Sequence, residues 1–214
     1  MTEPPDVSFA DLRDLDPGGL EPPVEVEDAR IEAAAIGAVE WGSASFEHAH
    51  LIEVDFEGAK LRGLSLVDLV GERVNAANGR WLGATLRRVA FRQCRLTGLD
   101  LGEARLADVS FEDCKLDYAN FRHGEIDHVT FSGCAMTEAD FQGAKIGATR
   151  FDGCDLGRAD FTKAELDEVD ARGSTLNLAG SVLGLRGLKI DALQLMDLSR
   201  AMAAEIGIEV EDRG

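Results

Sequence analysis

Proline is missing from everything beyond Pro23: the five prolines are Pro4, Pro5, Pro17, Pro22 and Pro23. Proline cannot donate to a strand ladder. Residues 1–25 are therefore predicted to be an irregular acidic arm, and the rest of the chain is free to form unbroken ladders. Positive charge is scarce: 22 Lys and Arg stand against 40 Asp and Glu, a net charge of −18. That balance argues against direct binding of DNA phosphates. One Tyr and two Trp leave little aromatic surface for stacking on bases. No run of about 18 apolar residues exists, so neither a membrane-spanning helix nor a membrane partner is expected. Met1 to Asp16 is acidic and lacks an apolar core, which does not fit a secretory signal. With four cysteines and no export signal, a reducing cytoplasm is the expected location.

What is present is a five-residue period. Phe91, Leu96, Leu101, Leu106, Phe111, Leu116, Phe121, Ile126, Phe131, Met136, Phe141, Ile146, Phe151, Leu156 and Phe161 are all large and apolar. Two residues before each stands a small or medium uncharged residue, among them Cys94, Cys114, Cys134 and Cys154. Neither a helix nor a simple strand repeats in this way. A fixed self-similar period points to a repeat whose units bury a core only by stacking. A twenty-residue period overlies the first, in the four cysteines, in Phe91, Phe111, Phe131 and Phe151, and in Phe121, Phe141 and Phe161. The simplest geometry is a square coil with five residues per side, identical residues stacking at about 4.8 Å.

Along the chain, the register holds from about Val26 through Ile31, Ile36, Trp41, Phe46, Leu51, Phe56, Leu61 and Leu66. Ser8-Phe9-Ala10-Asp11-Leu12 echoes the repeat one residue out of register, and the arm could cover the exposed first coil. Gly71 and Ala76 then occupy inward positions that elsewhere hold large residues. Two readings are compatible with this: an underfilled coil, which the unchanged register at Trp81 favours, or a ten-residue excursion. Trp81, two coils above Trp41, could fill the gap. The ladder fades at Ala171, Leu176 and Ser181. Asp191, with Gln194 three residues on, reads as a helix N-cap. Leu195, Leu198, Met202 and Ile206 follow at helical spacing, Gly207 suits a stop, and Ile208-Glu209-Val210 is predicted as a short extended tail. The expected organisation is an arm over 1–25, the solenoid over 26–188, and a helix with tail over 189–214.

Candidate chemical groups read mostly as structure. A linear cysteine stack packs as small hydrophobes and does not converge on a metal. His48 and His50 fall on different sides of one corner, with no third ligand in sight. No nucleophile–base constellation or phosphate loop stands out. No enzyme activity, metal or cofactor is expected. In the column Asp100, Asn120, Asp140 and Asp160, short Asx side chains suit turns, where they bond nearby backbone. The same column, with Asp155, could also form an acidic partner-binding surface. Net charge is −12 over residues 1–60 (15 acidic, 3 basic), zero over 61–130 (10 and 10) and −6 over 131–214 (15 and 9). The middle holds a basic knot, Arg80, Arg87, Arg88, Arg92 and Arg95.

Units such as Ala119-Asn120-Phe121-Arg122-His123, Ala139-Asp140-Phe141-Gln142-Gly143 and Ala159-Asp160-Phe161-Thr162-Lys163 resemble the pentapeptide repeat family. The resemblance covers roughly residues 26–180. It implies an all-β solenoid, a right-handed quadrilateral parallel β-helix, here followed by a C-terminal α-helix. The quinolone-resistance subgroup, which the chain resembles in its repeat rod, acidic balance and apolar C-terminal helix, imitates duplex DNA and binds DNA gyrase as a dimer. That resemblance implies a non-enzymatic DNA mimic acting on DNA gyrase or a type II topoisomerase, and a homodimer seam at Leu195, Leu198, Met202 and Ile206. The Arg knot and the lack of a clear out-of-register loop depart from the subgroup. A generic interaction scaffold with an unknown partner is the other reading.

Overall fold

The computed structural model describes residues 2, 4–6, 8, 11–177, 179 and 181–211. Large side chains at every fifth position turn inward, and the chain turns a corner after each. Nine-residue strands such as Val24–Glu32, Ala44–Ile52 and Leu64–Glu72 each cross two faces. They pair in parallel with the next strand twenty residues on, as in Phe91↔Phe111 and Phe111↔Phe131. The other two faces are joined by single bridges, Asp55↔Asn75↔Arg95↔Lys115 on the third and Lys60↔Arg80↔Asp100↔Asn120 on the fourth. The result is a right-handed, four-sided parallel solenoid of about nine turns with a single C-terminal helix.

Most corners are made by a left-handed residue two positions after the inward one. Asp28, His48, Asp68, Arg88, Asp108 and His128 mark one corner column, with φ between 47° and 56°. Asn, Asp and Gly accept this conformation most readily. Here Arg88, Tyr118 and Arg158 adopt it as well, so the stacked ladder dictates the backbone over local preference.

The core is a set of columns. Phe111, Phe131 and Phe151 stack at centroid distances of 5.0 Å, and Phe121, Phe141 and Phe161 at 4.8 Å. The two stacks meet edge to face, Phe121 on Phe131 at 6.0 Å and Phe141 on Phe151 at 5.8 Å. These geometries suit ring quadrupoles as well as burial.

Residues 70–79 stay in the coil. Gly71 pairs with Leu51 and Phe91, and Asn75 bridges Asp55 and Arg95. The space beside Gly71 is filled by Phe91, not by Trp81: a Cβ at Gly71 would lie 2.8 Å from the Phe91 ring. Trp81 instead packs beside Gly79, whose Cβ would be 3.3 Å from Trp81 Nε1.

Both ends are closed. Arg13–Asp14 adds a parallel strand to the first coil through Ala29 and Arg30, with Leu15 and Leu20 against the core. Phe9 and Ala10 of the motif echo lie outside the described residues. At the other end the register slips by one, Asp160 pairing with Ala179 and Val169 with Leu188. A 3-10 turn, Val182–Leu185, crosses the last coil, where Gly184 lies so close to the Phe161 carbonyl that a Cβ would clash with it. Helix Ala192–Glu205 follows, with the expected capping box of Asp191 and Gln194. Residues 208–210 form no strand, and Ile208 and Val210 are exposed.

Candidate partner-binding surfaces

The Asx column is tied into turns. Asp100, Asn120, Asp140 and Asp160 each accept the backbone N–H two residues on, at 2.8–3.1 Å. Asp100 Oδ1 also accepts Asn120 Nδ2 at 2.7 Å, Asp140 Oδ2 takes Arg122 Nε at 2.6 Å, and Asp160 Oδ2 takes Gln142 Nε2 at 2.6 Å. Asp155, on the third face, accepts Gly157 N at 2.9 Å. The local bonds that suit Asx to these sites therefore occupy the carboxylates sequence reasoning offered to a partner.

Charge separates by face. The first face, with inward column Val26, Phe46, Leu66, Leu86, Leu106, Ile126, Ile146 and Leu166, carries Glu25, Glu27, Asp28, Glu47, Asp68, Asp108, Glu125, Asp127, Glu165, Asp167 and Glu168. Against them stand Arg87, Arg88, Arg105 and Lys145, so carboxylates outnumber cations more than two to one. The fourth face, home of the Asp100–Asp160 column, balances Glu40, Asp100, Glu103, Asp140 and Asp160 with Lys60, Arg62, Arg80, Arg122 and Lys163. Linear sequence hid this separation, because each face collects residues twenty apart.

The basic knot is not a patch. Arg87 and Arg88 lie on the first face, Arg92 on the second, Arg95 on the third and Arg80 on the fourth, a girdle around the rod. Arg88 grips Asp68 with both Nε and a terminal nitrogen, the Nε bond being 2.6 Å. This guanidinium holds the Asp68 carboxyl below its ordinary range. Arg92 bridges Glu72 and Glu112 at 3.6 Å each, and Glu53–Arg73, Glu40–Lys60 and Glu138–Arg158 are further inter-coil pairs.

The cysteines are free and buried, Cys134 Sγ donating to Phe111 O at 3.4 Å. The neighbouring Cys114 thiol, with burial, pushes Cys134 up to about 12, far from a reactive thiolate. Among the described residues no three His, Cys, Asp or Glu come together to hold a metal. His48 stands 3.9 Å from Asp28, and His50, across the corner, 3.6 Å from Glu72.

The C-terminal stripe is split. Leu198 is turned into the solenoid end and is 4% exposed, so it is removed from the predicted seam. Leu195, Met202 and Ile206 remain exposed, as do Leu193 and Met196. An apolar groove of about 560 Å³ runs between the helix and the preceding turn, lined by Val182, Leu183, Leu188, Ile190 and Met202. Sequence reasoning saw Gln194 only as a cap. Its Nε2 also donates to Ala171 O and Ser174 O, both at 2.6 Å; Ala171 O already accepts Ser174 N at 3.1 Å, so the amide is a second donor there.

Among the described residues no helix is long and apolar enough to cross a membrane. No curated protein matches the sequence. Two trypsin-treated forms of QnrB1, a plasmid-mediated fluoroquinolone resistance protein, match the structure. One has a TM-score of 0.59 at 19% identity, covering 88% of this chain and 94% of the other. The second has a TM-score of 0.55 at 18% identity, covering 93% and 96%. At such identity the likeness concerns the fold. The family description "Pentapeptide repeat region" matches residues 39–121, 84–161 and 104–179, most of the solenoid. With the five-residue ladder seen in both sequence and coordinates, the chain belongs to the pentapeptide repeat family.

Proposed function

We propose that this protein is a non-enzymatic mimic of duplex DNA that occupies the DNA-binding surface of DNA gyrase or a related type II topoisomerase in the cytoplasm, modulating it or protecting it from topoisomerase poisons. The observation that carries the reading is the gathering of carboxylates on the first face of the solenoid. About nine coils at about 4.8 Å give a length near 43 Å. A duplex of that length carries roughly 25 charges, at one per about 1.7 Å. The formal charge of −18 is of the same order. The fold shared with a fluoroquinolone resistance protein supports the same reading.

The active form is a homodimer. Leu195, Met202 and Ile206, with the adjoining apolar groove, form a seam whose natural cover is a second copy, since one solenoid end already buries Leu198. Joining two rods end to end would lengthen the mimic. The inter-coil ion pairs on the remaining faces favour the second reading, a protein-interaction scaffold for another partner, because they neutralise much of the rod.

The test is gyrase supercoiling of relaxed plasmid with and without the protein, in the presence and absence of a fluoroquinolone, beside a pull-down with purified gyrase subunits. Inhibition or protection that weakens with salt is expected. No binding and no effect at tens of micromolar would leave the scaffold as the better reading.

A further inference from the structure

Side chains one position before the second-face centres point away from the core, yet Val70 and Ala90 are each only 3% exposed and His50 only 9%. Neighbouring coils can bury a small outward side chain by themselves, as at Ala77 on the third face, 1% exposed; along this column the N-terminal arm is a further cover. Thr2 Oγ1 bonds to His128 O at 3.1 Å and Thr130 Oγ1 at 2.9 Å. Asp6 N donates to Asp68 Oδ1 at 3.0 Å. Thr2 and Asp6 thus lie along the corner between the first and second faces, Thr2 at the coil of Thr130 and Asp6 at that of Asp68, while Arg13–Asp14 pairs with Ala29 and Arg30 of the first coil.

The chemistry of the groove matches this occupant. Its floor is small and apolar at Val70 and Ala90, and Arg88 and His48 stand beside Asp68 at its edge. The arm brings Pro4 and Pro5, which favour an extended backbone without donors, followed by the Asp6 N–H that Asp68 accepts. Extended proline-containing segments lose little entropy on docking. Every bond given above for Thr2 and Asp6 uses a side chain on at least one partner, so a different segment with the same features could replace them.

We propose that this corner groove is a binding site for extended, proline-containing peptides, filled in this molecule by the arm at Thr2 and Asp6 and open to such a segment of another protein when the arm lifts. The test uses the full chain with Ala90→Cys as a reporter, beside the four native thiols buried in the core. Asp6→Pro removes the N–H bonded to Asp68, and Thr2→Ala removes the far anchor. Added to the reporter, these two changes should speed maleimide labelling at position 90 at least tenfold. Far-UV circular dichroism and the melt check that the coil is intact. A synthetic peptide with the sequence of residues 1–12 should restore protection saturably, and the same peptide with Asp6 replaced by Pro, which lacks the N–H that Asp68 accepts, should not. Unchanged slow labelling would show the arm to be a fixed part of the fold. Fast labelling that millimolar peptide does not slow would show that the groove takes no peptide. Either result overturns the proposal, and neither bears on gyrase binding.

Discussion

At the residue scale the fold rests on two recurring positions, the inward centre and the left-handed corner. Phe131 lies between Phe111 and Phe151 with rings nearly parallel and no exposed surface. Phe131→Ala should lower stability by about 3–5 kcal/mol, because the columns on both sides are held by their own coils and cannot collapse into the void. A denaturant titration measures this, and a loss under 1 kcal/mol would mean the stack relaxes. The corner works in the opposite sense. Ala148 has φ of 42°, a conformation that costs a non-glycine residue about 1–2 kcal/mol. Glycine avoids that strain but has more freedom to lose from the unfolded chain, so Ala148→Gly should stabilise by about 0.5–1 kcal/mol and raise the melting temperature. The inward centres were legible in the sequence because only large apolar residues fill them. The corners were not, since Arg88, Tyr118 and Arg158 conceal a conformation the ladder imposes.

At the scale of elements, the coils were readable and the ends were not, for a physical reason. Inside the ladder each residue repeats its neighbour's environment twenty positions away, so the period reports the structure directly. An end has a neighbour on one side only, and its solution is a singular set of contacts. Gln194 is the clearest case. Its carbonyl accepts Asp191 N at 2.7 Å while its amide nitrogen reaches Ala171 O and Ser174 O. Gln194→Ala would remove the side-chain donor to both buried carbonyls, leaving Ala171 O only its bond from Ser174 N, and would leave half of the capping box unmade. The expected cost is about 2–3 kcal/mol, seen in the melt, with hydrogen exchange accelerating first in residues 169–189. Uniform exchange along the rod would instead mean that the helix end contributes no local protection. The arm was equally hidden, because its docking site is a column of outward residues contributed by separate coils, and nothing adjacent in sequence marks Val70 and Ala90 as covered.

At the scale of the whole molecule, a solenoid turns sequence spacing into surface pattern. Residues far apart in the chain become one face, and the face, not the total charge, meets a partner. The seam and the face can be tested separately. Leu195→Glu with Met202→Glu leaves Leu198 and Gln194 in place, so it should give a folded monomer by light scattering; a dimer of unchanged mass would move the interface elsewhere. Charge mimicry makes the sharper demand. If a topoisomerase reads the rod as DNA, the first face should dominate, since its carboxylates are in excess, while the fourth face is balanced and its Asp140 and Asp160 are bonded to Arg122 and Gln142. Replacing Glu27, Glu47, Glu165 and Asp167 by their amides removes four exposed charges without touching an inward or Asx-turn position. Gyrase affinity should then fall at least tenfold at low salt, and the difference should shrink as ionic strength rises, because exposed charges are screened within about 10 Å at 0.1 M. The control is Asp140→Asn with Asp160→Asn, where amides can still close the turns and a smaller loss is expected. Equal losses from both sets would mean that net charge alone steers binding; a loss from the fourth-face pair alone would place the contact where the turns are, with the acidic first face serving solubility.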